Sequence, residues 1–600
     1  MGNMPIYNAF ILKSFLILLF CLLPIVKSFA QDSTQSTPFF QMSGSVTLTA
    51  DFYNYSATPD SAQKGRRPPS LYRLLFSPVL KFGDLLSLPF NIILTTPETN
   101  TTTPSVSKPS LAQFLENPAN SLGFSSITPK IGWAEFYLGS HSPSYSALSA
   151  GDQQLFGAGF NLKPGNFQLA ASLGTAQRAI EPDTTKNIRG SYRRDIYMGR
   201  VAFGNPDAAF IGINFVRAKD AQNSLTNTIT TITPAHPLAS DPTVIVPADT
   251  ARLRAEEGYV ASLDGKITFT EGMSFNGEIS LSSFTRDLSS PEKAISGNPL
   301  AFAQTTRTST RADIAGSAAL KLQKKVWGIT LSSLYVGAGF APIGYTFMQS
   351  DRLEFKIAPN LHLFDNKFSI TGSLGERVNN LSQTKGETMT QLIGSANMNA
   401  DISEAFNLSA QYSNFGIRND QTLDTLKIQN VSQSLSIDPT LTLQGTSVTH
   451  IISASFAIDE FKDYNVVSGA ESSNDTRTVL GSYTLSLTSI PLTTNILASY
   501  MENRLSTGTL IIRSIGTTIG YSFFDRKLIP SFSVTASGST LGAAPTDDQI
   551  FFKFGLKWRP AKMIDVMGSI GNNSYTYGNP IPKGSAFKET LIQLAITTQF

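Results

Sequence analysis

From about Ser43 to Phe600 the chain is written in alternation. Runs of about ten residues switch between apolar and polar or small side chains, position by position. In "IFFKFGLKW", Phe552, Phe554, Leu556 and Trp558 fall on one face of an extended chain, and Lys553, Gly555 and Lys557 on the other. In "KFSITGSLGER", Phe368, Ile370, Gly372 and Leu374 oppose Ser369, Thr371, Ser373 and Arg377. "RADIAGSAALKL" sets Ile314, Ala318 and Leu320 against Arg311, Asp313, Ser317 and Lys321. "THIISASFAID" sets Ile452, Ala454, Phe456 and Ile458 against Ser453, Ser455 and Asp459. Successive strand residues point to opposite sides, so each run is a strand with one greasy and one wet face.

Such strands build either a soluble sandwich or a membrane barrel, and the connections decide between them. Short turns at 364–367, 402–406, 444–447, 488–491, 524–527 and 559–562 alternate with longer polar loops near 379–388, 419–430, 460–476, 539–548 and 574–586. The first half continues the scheme, with short turns at 82–84, 163–166, 204–207 and 270–273. Its long loops are 97–129, 177–190, 220–256 and 286–309. Short turns at one rim and long loops at the other are the plan of an outer-membrane barrel, whereas a sandwich has no reason to segregate loop length. The expectation is an all-β fold: a single transmembrane antiparallel β-barrel with short periplasmic turns and long extracellular loops. Counting runs gives about 25 strands, and a further crossing at 141–154 brings the count to about 26, the even number that a single-chain barrel requires. The alternative is 24, with part of 131–162 folded into the lumen. Either barrel is too wide for side chains alone to fill.

The N-terminal stretch "FILKSFLILLFCLLPIV" followed by Ser28, Phe29 and Ala30 has the layout of a secretory signal peptide cleaved after Ala30. The expected organisation is therefore a signal peptide over 1–30, a short periplasmic segment over 31–41 and a barrel over 42–600. That leaves no room for a plug or periplasmic module before the first strand. The single cysteine, Cys21, departs with the leader, so the mature chain has no disulfide or thiolate chemistry. The full sequence has 47 Lys and Arg against 44 Asp and Glu; removing Lys13 and Lys27 leaves 45 against 44. Near-neutrality excludes nucleic acid as a partner.

Chemistry-bearing motifs are scarce. His141, His236, His362 and His450 have no metal-ligand spacing, and no nucleotide or nucleophile-elbow motif has a usable context, so no cofactor and no metal are expected. "SHSPS" places His141 beside Ser142 and Ser144, a pairing that barrel hydrolases use with a different spacing; an ordinary rim or lumen histidine is the expected reading. "GAGF" at 157–160 and 337–340 reads as strand glycine at tight packing rather than a phosphate loop. Lys64, Arg66, Arg67 and Arg73 gather in "KGRRPPSLYR", as a loop rim followed by a lumen-facing arginine or as a patch for lipopolysaccharide phosphates. Arg200 lies well inside its run, where a lipid-facing arginine at mid-depth costs about 2–4 kcal/mol, so it should face the lumen or lie near the periplasmic rim. Arg311, Asp313, Lys553 and Lys557 give the expected lumen walls mixed charge.

The stretches "SGSVTLTADFYNY", "RRPPSLYRLLFSPVL", "FGAGFNLKPGNFQLAASLGTAQRAIEPD" and "FVRAKD" resemble uncharacterised large outer-membrane barrels of the Bacteroidetes/Chlorobi kind. The resemblance covers mainly the first 220 residues and implies fold and location, with no functional residue. The final run "LIQLAITTQF" sets Phe600 in the lipid-facing register at the periplasmic interface. This is the place of a terminal-aromatic signal read by the barrel-assembly machinery. The expected protein is thus no enzyme but a porin-like channel or transport barrel of the cell outer membrane, for small polar solutes. The alternative is a structural or export-associated barrel holding a protein partner in its lumen or loops.

Overall fold

A computed structural model describes residues 39–58, 67–83, 86–95, 125–151, 153–184, 188–233, 236–238, 241–246, 249–298, 300–342, 348–487, 489–578 and 586–600. Its strands form one antiparallel sheet that closes on itself. The first strand, Phe40–Thr58, pairs with the last, Ala586–Gln599, from Ser45 opposite Gln599 to Thr58 opposite Ala586. The sheet contains 27 segments, of which Ser125–Ile127 and Lys130–Ile131 are two pieces of one crossing; 27 − 1 gives 26 strands. Closure removes every sheet edge, the condition for placing strands in hydrocarbon.

The count of 26 was expected, but the residues supplying the extra crossing differ. The crossing is Ser125–Ile131, which begins within what reads in sequence as the loop 97–129 and ends just past it, and it lies between Leu86–Thr95 and Ala134–His141. Residues 141–154 do not cross. Ala134–His141 and Leu155–Leu162 are direct antiparallel partners, and the chain between them is their connection. Part of 131–162 therefore does enter the lumen, as the 24-strand alternative had it, without lowering the count.

Alternation becomes radial position. On Ala209–Asp220, Ile211, Ile213 and Phe215 point outward, with Ile213 61 % exposed, whereas Asn214 and Val216 are buried on the inner side. Tyr197, Val201 and Phe203 continue the outward band on the neighbouring strand. Leaving so much apolar surface in water costs roughly 25 cal/mol per Å², so this belt is built to meet lipid.

Short turns close one rim. "FDNK" and "FDRK" fold alike: Phe364, Asp365 and Asn366 have φ of 53°, 55° and 69°, and Phe524, Asp525 and Arg526 have 51°, 52° and 66°. Lys367 N–H and Lys527 N–H each donate to the Phe carbonyl three residues earlier at 3.1 Å. Connections at the other rim are longer, apart from the tight link between Leu505 and Gly508. Within 220–256 the chain forms two small antiparallel ribbons, Ile229–Thr233 with Asp249–Arg252 and His236–Leu238 with Asp241–Val246. The "GAGF" at 337–340 follows the strand Trp327–Val336 rather than lying in it. Its tight packing is real, because a Cβ on Gly337 would come within 2.3 Å of the Asp313 carboxyl group.

Candidate functional site

The connection after His141 turns into the barrel. Pro143 ends the strand, and "SPSYSALSAG" carries no charge that would hold it in water. Tyr145 N–H donates to Ala150 O at 2.8 Å and Ala150 N–H returns to Ser146 O at 3.3 Å, giving a compact turn. Ala150 packs with Leu155, Ile196, Met198, Val216, Ala218 and Val260. Leu148 packs with Ala315, Val336 and Phe340. The partners from the barrel strands lie on inward-facing registers, so the loop covers the inner wall from Arg194 to Val336.

Two buried charged side chains fasten the loop. Arg200, 7 % exposed, donates through Nη1 to Tyr145 O at 3.0 Å, to Asn214 Oδ1 at 2.7 Å and to Asp264 Oδ1 at 2.7 Å. Its Nη2 donates to Asp264 Oδ2 at 3.0 Å, completing a bidentate pair. Asn214 Nδ2 donates to Asp264 Oδ1 at 2.7 Å and Ser262 Oγ at 3.0 Å, satisfying the carboxylate from a second side. Gly212 makes room for this fork: a Cβ there would lie 2.7 Å from Arg200 Nη2 and 2.9 Å from Asp264 Oδ1.

Glu278 is the second fastener. Its two oxygens each accept Leu148 N–H at 3.1 Å, and Oε1 accepts Ser146 Oγ–H at 2.6 Å. A buried carboxylate is costly unless hydrogen-bonded, and here the loop supplies the donors. A second connection also folds against this wall over residues 337–342. Gly339 N–H donates to Asp313 Oδ2 at 2.8 Å and Ala341 N–H to Ser282 Oγ at 3.2 Å, with Phe340 buried.

The opposite arc, from Arg352 through Gln599 to the first strand, has a different interior. Its inward register presents Glu354 paired to Arg377 at 2.8 Å, Ser373 to Ser395 at 2.9 Å and Ser499 to Ser514 at 2.6 Å. Gln593 reaches Asp51 at 3.2 Å and Tyr53 reaches Glu589 at 2.7 Å. These side chains are half-buried or exposed. The lumen thus has one dry, loop-covered wall and one wet wall of mixed charge.

The expected site residues distribute between these walls. Arg200 faces the lumen and is the hub of the dry one. Asp313 is also inward and holds the second loop. Arg311 is exposed near the rim end of its strand. Arg73 shares the face of Thr49, its pairing partner, on the wet wall. Lys553 and Lys557 are exposed on that wall, four residues apart on one strand. Arg67 is exposed just before its strand; Arg66 and Ala30 lie outside the described residues. Phe600 exchanges backbone hydrogen bonds with Gly44, at 2.9 and 3.1 Å, and its ring centroid lies 6.3 Å from that of Phe76. His141 Nδ1 is 3.0 Å from Gly139 O, the ring stacks on Tyr137, and Nε2 has no partner among the described residues. Asp264, Asn214, Glu278 and Tyr145 were not singled out in the sequence. "SFNGEISLS" carries the signal for Glu278, which shares the face of Asn276, Ser280 and Ser282.

No protein-family model and no curated protein matches the chain. Similar solved structures include the P pilus usher PapC translocation pore, 8 % identical over 93 % of this chain and 99 % of that one, with a TM-score of 0.33. A mutant of the ferric enterobactin receptor PfeA from Pseudomonas aeruginosa is 9 % identical over 93 % and 80 %, with a TM-score of 0.40. OccAB3 of Acinetobacter baumannii is 11 % identical over 58 % and 93 %, with a TM-score of 0.28. Likenesses this distant carry no functional argument, and the reading of the lumen rests on its own residues.

Proposed function

We propose that the protein is an outer-membrane channel for small polar solutes, with the loop 142–151 narrowing its lumen. The observation that carries this reading is the division of the interior. A loop is bolted to one wall through Arg200 and Glu278, and the facing arc keeps Arg73, Glu354, Lys356, Arg377, Lys553 and Lys557 in contact with water. A barrel meant only to stand in the membrane gains nothing from a hydrated, charged inner arc, whereas a diffusion path needs one. Both signs of charge along the arc favour polar solutes in general over one class of ion. The competing reading is a barrel that holds a protein partner. Purified protein in planar bilayers separates the two: discrete conductance steps are expected, and their absence from heat-modifiable, folded protein would sink the channel.

A further inference from the structure

The outer face has its own chemistry, unrelated to passage through the lumen. Along Ala209–Asp220 the outward residues run Ile211, Ile213, Phe215, then Arg217 and Lys219. Arg217 pairs in register with Tyr197 and Tyr259, and Lys219 with Asp195 and Glu257. The order from mid-barrel to the long-loop rim is therefore aliphatic, aromatic, charged, the order of hydrocarbon, interface and headgroup. Arg217 lies 5.4 Å from the centre of the Tyr259 ring, and Glu257 Oε1 accepts its Nη2–H at 2.9 Å and lies 3.6 Å from Lys219 Nζ. Arg193 is exposed beside them, paired to Asp195 at 3.1 Å. Three cations against two carboxylates leave one net positive charge, and Glu257, almost fully buried, serves to aim two of the cations outward.

Directly below, the wall is recessed. The register aligns Ile211, Gly265, Gly277, Ala318, Ser333 and Phe355 at one level across six strands. Low residues between Ile211 and Phe355 make the floor of an apolar groove of about 890 Å³. Ile211 and Arg217 are six residues apart, about 20 Å along a strand. With a strand tilt of 35–45° this is about 15 Å of depth, one leaflet of a 30 Å core.

We propose that this sector binds a phosphorylated, multi-chain glycolipid of the outer leaflet, with its phosphate on Arg217 and Lys219 and its acyl chains in the groove. Charge complementarity selects the headgroup. The width selects the tail, because the floor from Gly265 to Ser333 covers four strands, about 14 Å, broader than a two-chain glycerophospholipid fills. The site is the face opposite to the lumen, so it stands or falls independently of conductance.

Native mass spectrometry of the full barrel, titrated with bisphosphorylated lipid A, dephosphorylated lipid A and phosphatidylglycerol, tests it. Bisphosphorylated lipid A should be retained at least tenfold better than either other lipid. Arg217→Gln with Lys219→Gln should erase the preference for phosphate, Ala318→Phe should weaken both forms of lipid A, and lumen-facing Arg73→Gln should change nothing. Equal retention of the two forms of lipid A, or phosphatidylglycerol bound as well as lipid A, would overturn the assignment on the wild-type protein alone, before any variant is needed.

Discussion

Glu278 holds Leu148 against the inner face of the barrel wall: both carboxylate oxygens accept the one backbone N–H, each at 3.1 Å, over a sequence separation of 130 residues. Glu278→Ala leaves that N–H without its acceptor, at a cost of about 1–3 kcal/mol. Since about 1.4 kcal/mol is a factor of ten in population, the loop 142–151 should detach for a substantial fraction of the time. Single-channel recordings should show a larger mean conductance with added flicker, on a barrel whose heat-modifiable gel shift is unchanged.

Arg200 and Asp264 form a pair almost wholly out of water. Arg200→Met strands a buried carboxylate and should destabilise the protein by about 3–5 kcal/mol. The double variant with Asp264→Leu should recover a large part of that loss, because an apolar pair of similar size needs no solvation. Urea unfolding midpoints of the three proteins in one detergent measure the coupling; strictly additive losses would contradict it.

Lys553 and Lys557 stand exposed on the water-facing wall. Replacing both by Glu should move the reversal potential in a KCl gradient toward cation preference. The same exchange should leave unfolding within about 0.5 kcal/mol of wild type, as is usual for exposed positions.

Glu181 ties two segments of the long-loop rim together. It accepts Thr226 N–H at 2.8 Å, Thr226 Oγ1–H at 3.0 Å and Asn227 N–H at 3.1 Å. The backbone N–H groups of Thr226 and Asn227 hold its carboxyl below the ordinary value of 4.5. The tie is thus fully present above that value and is lost as the pH falls through the lower folded one. Spin labels at Ala179→Cys and Thr228→Cys should report one distance at neutral pH that broadens in strong acid. Glu181→Gln should broaden it already at neutral pH.

Phe600 sits on the seam where first and last strands meet. Phe600→Ala keeps the backbone exchange with Gly44 but removes the ring that faces Phe76. We expect less folded barrel per cell, read as the heat-modifiable band, with conductance of the surviving channels unchanged.

The barrel was legible because period-2 alternation and segregated loop lengths are repeated over the whole chain, and each strand reinforces the reading of the next. The extra crossing was not. Ser125–Ile127 and Lys130–Ile131 are three and two residues long, too short for alternation to show, and Pro129 interrupts them. That Arg200 faces inward or lies near the periplasmic rim followed from the cost of placing it in lipid at mid-depth. That it meets Asp264, 64 residues later, and Tyr145, 55 earlier, depends on which strands become neighbours and which way a neutral loop turns. "SPSYSALSAG" is equally suited to either side of a rim. Its inward path is decided by acceptors on Glu278 and donors on Arg200 that no local pattern connects to it.

The uneven lining of the lumen also has a mechanical meaning. A closed ring stiffened along one arc does not deform evenly; when it flattens toward an ellipse, curvature changes first where nothing braces it from within. In this barrel that compliant arc is the one from Arg352 to Gln599, so lateral pressure from the surrounding bilayer reaches the open part of the bore through those strands, while the arc that carries the loop keeps its shape.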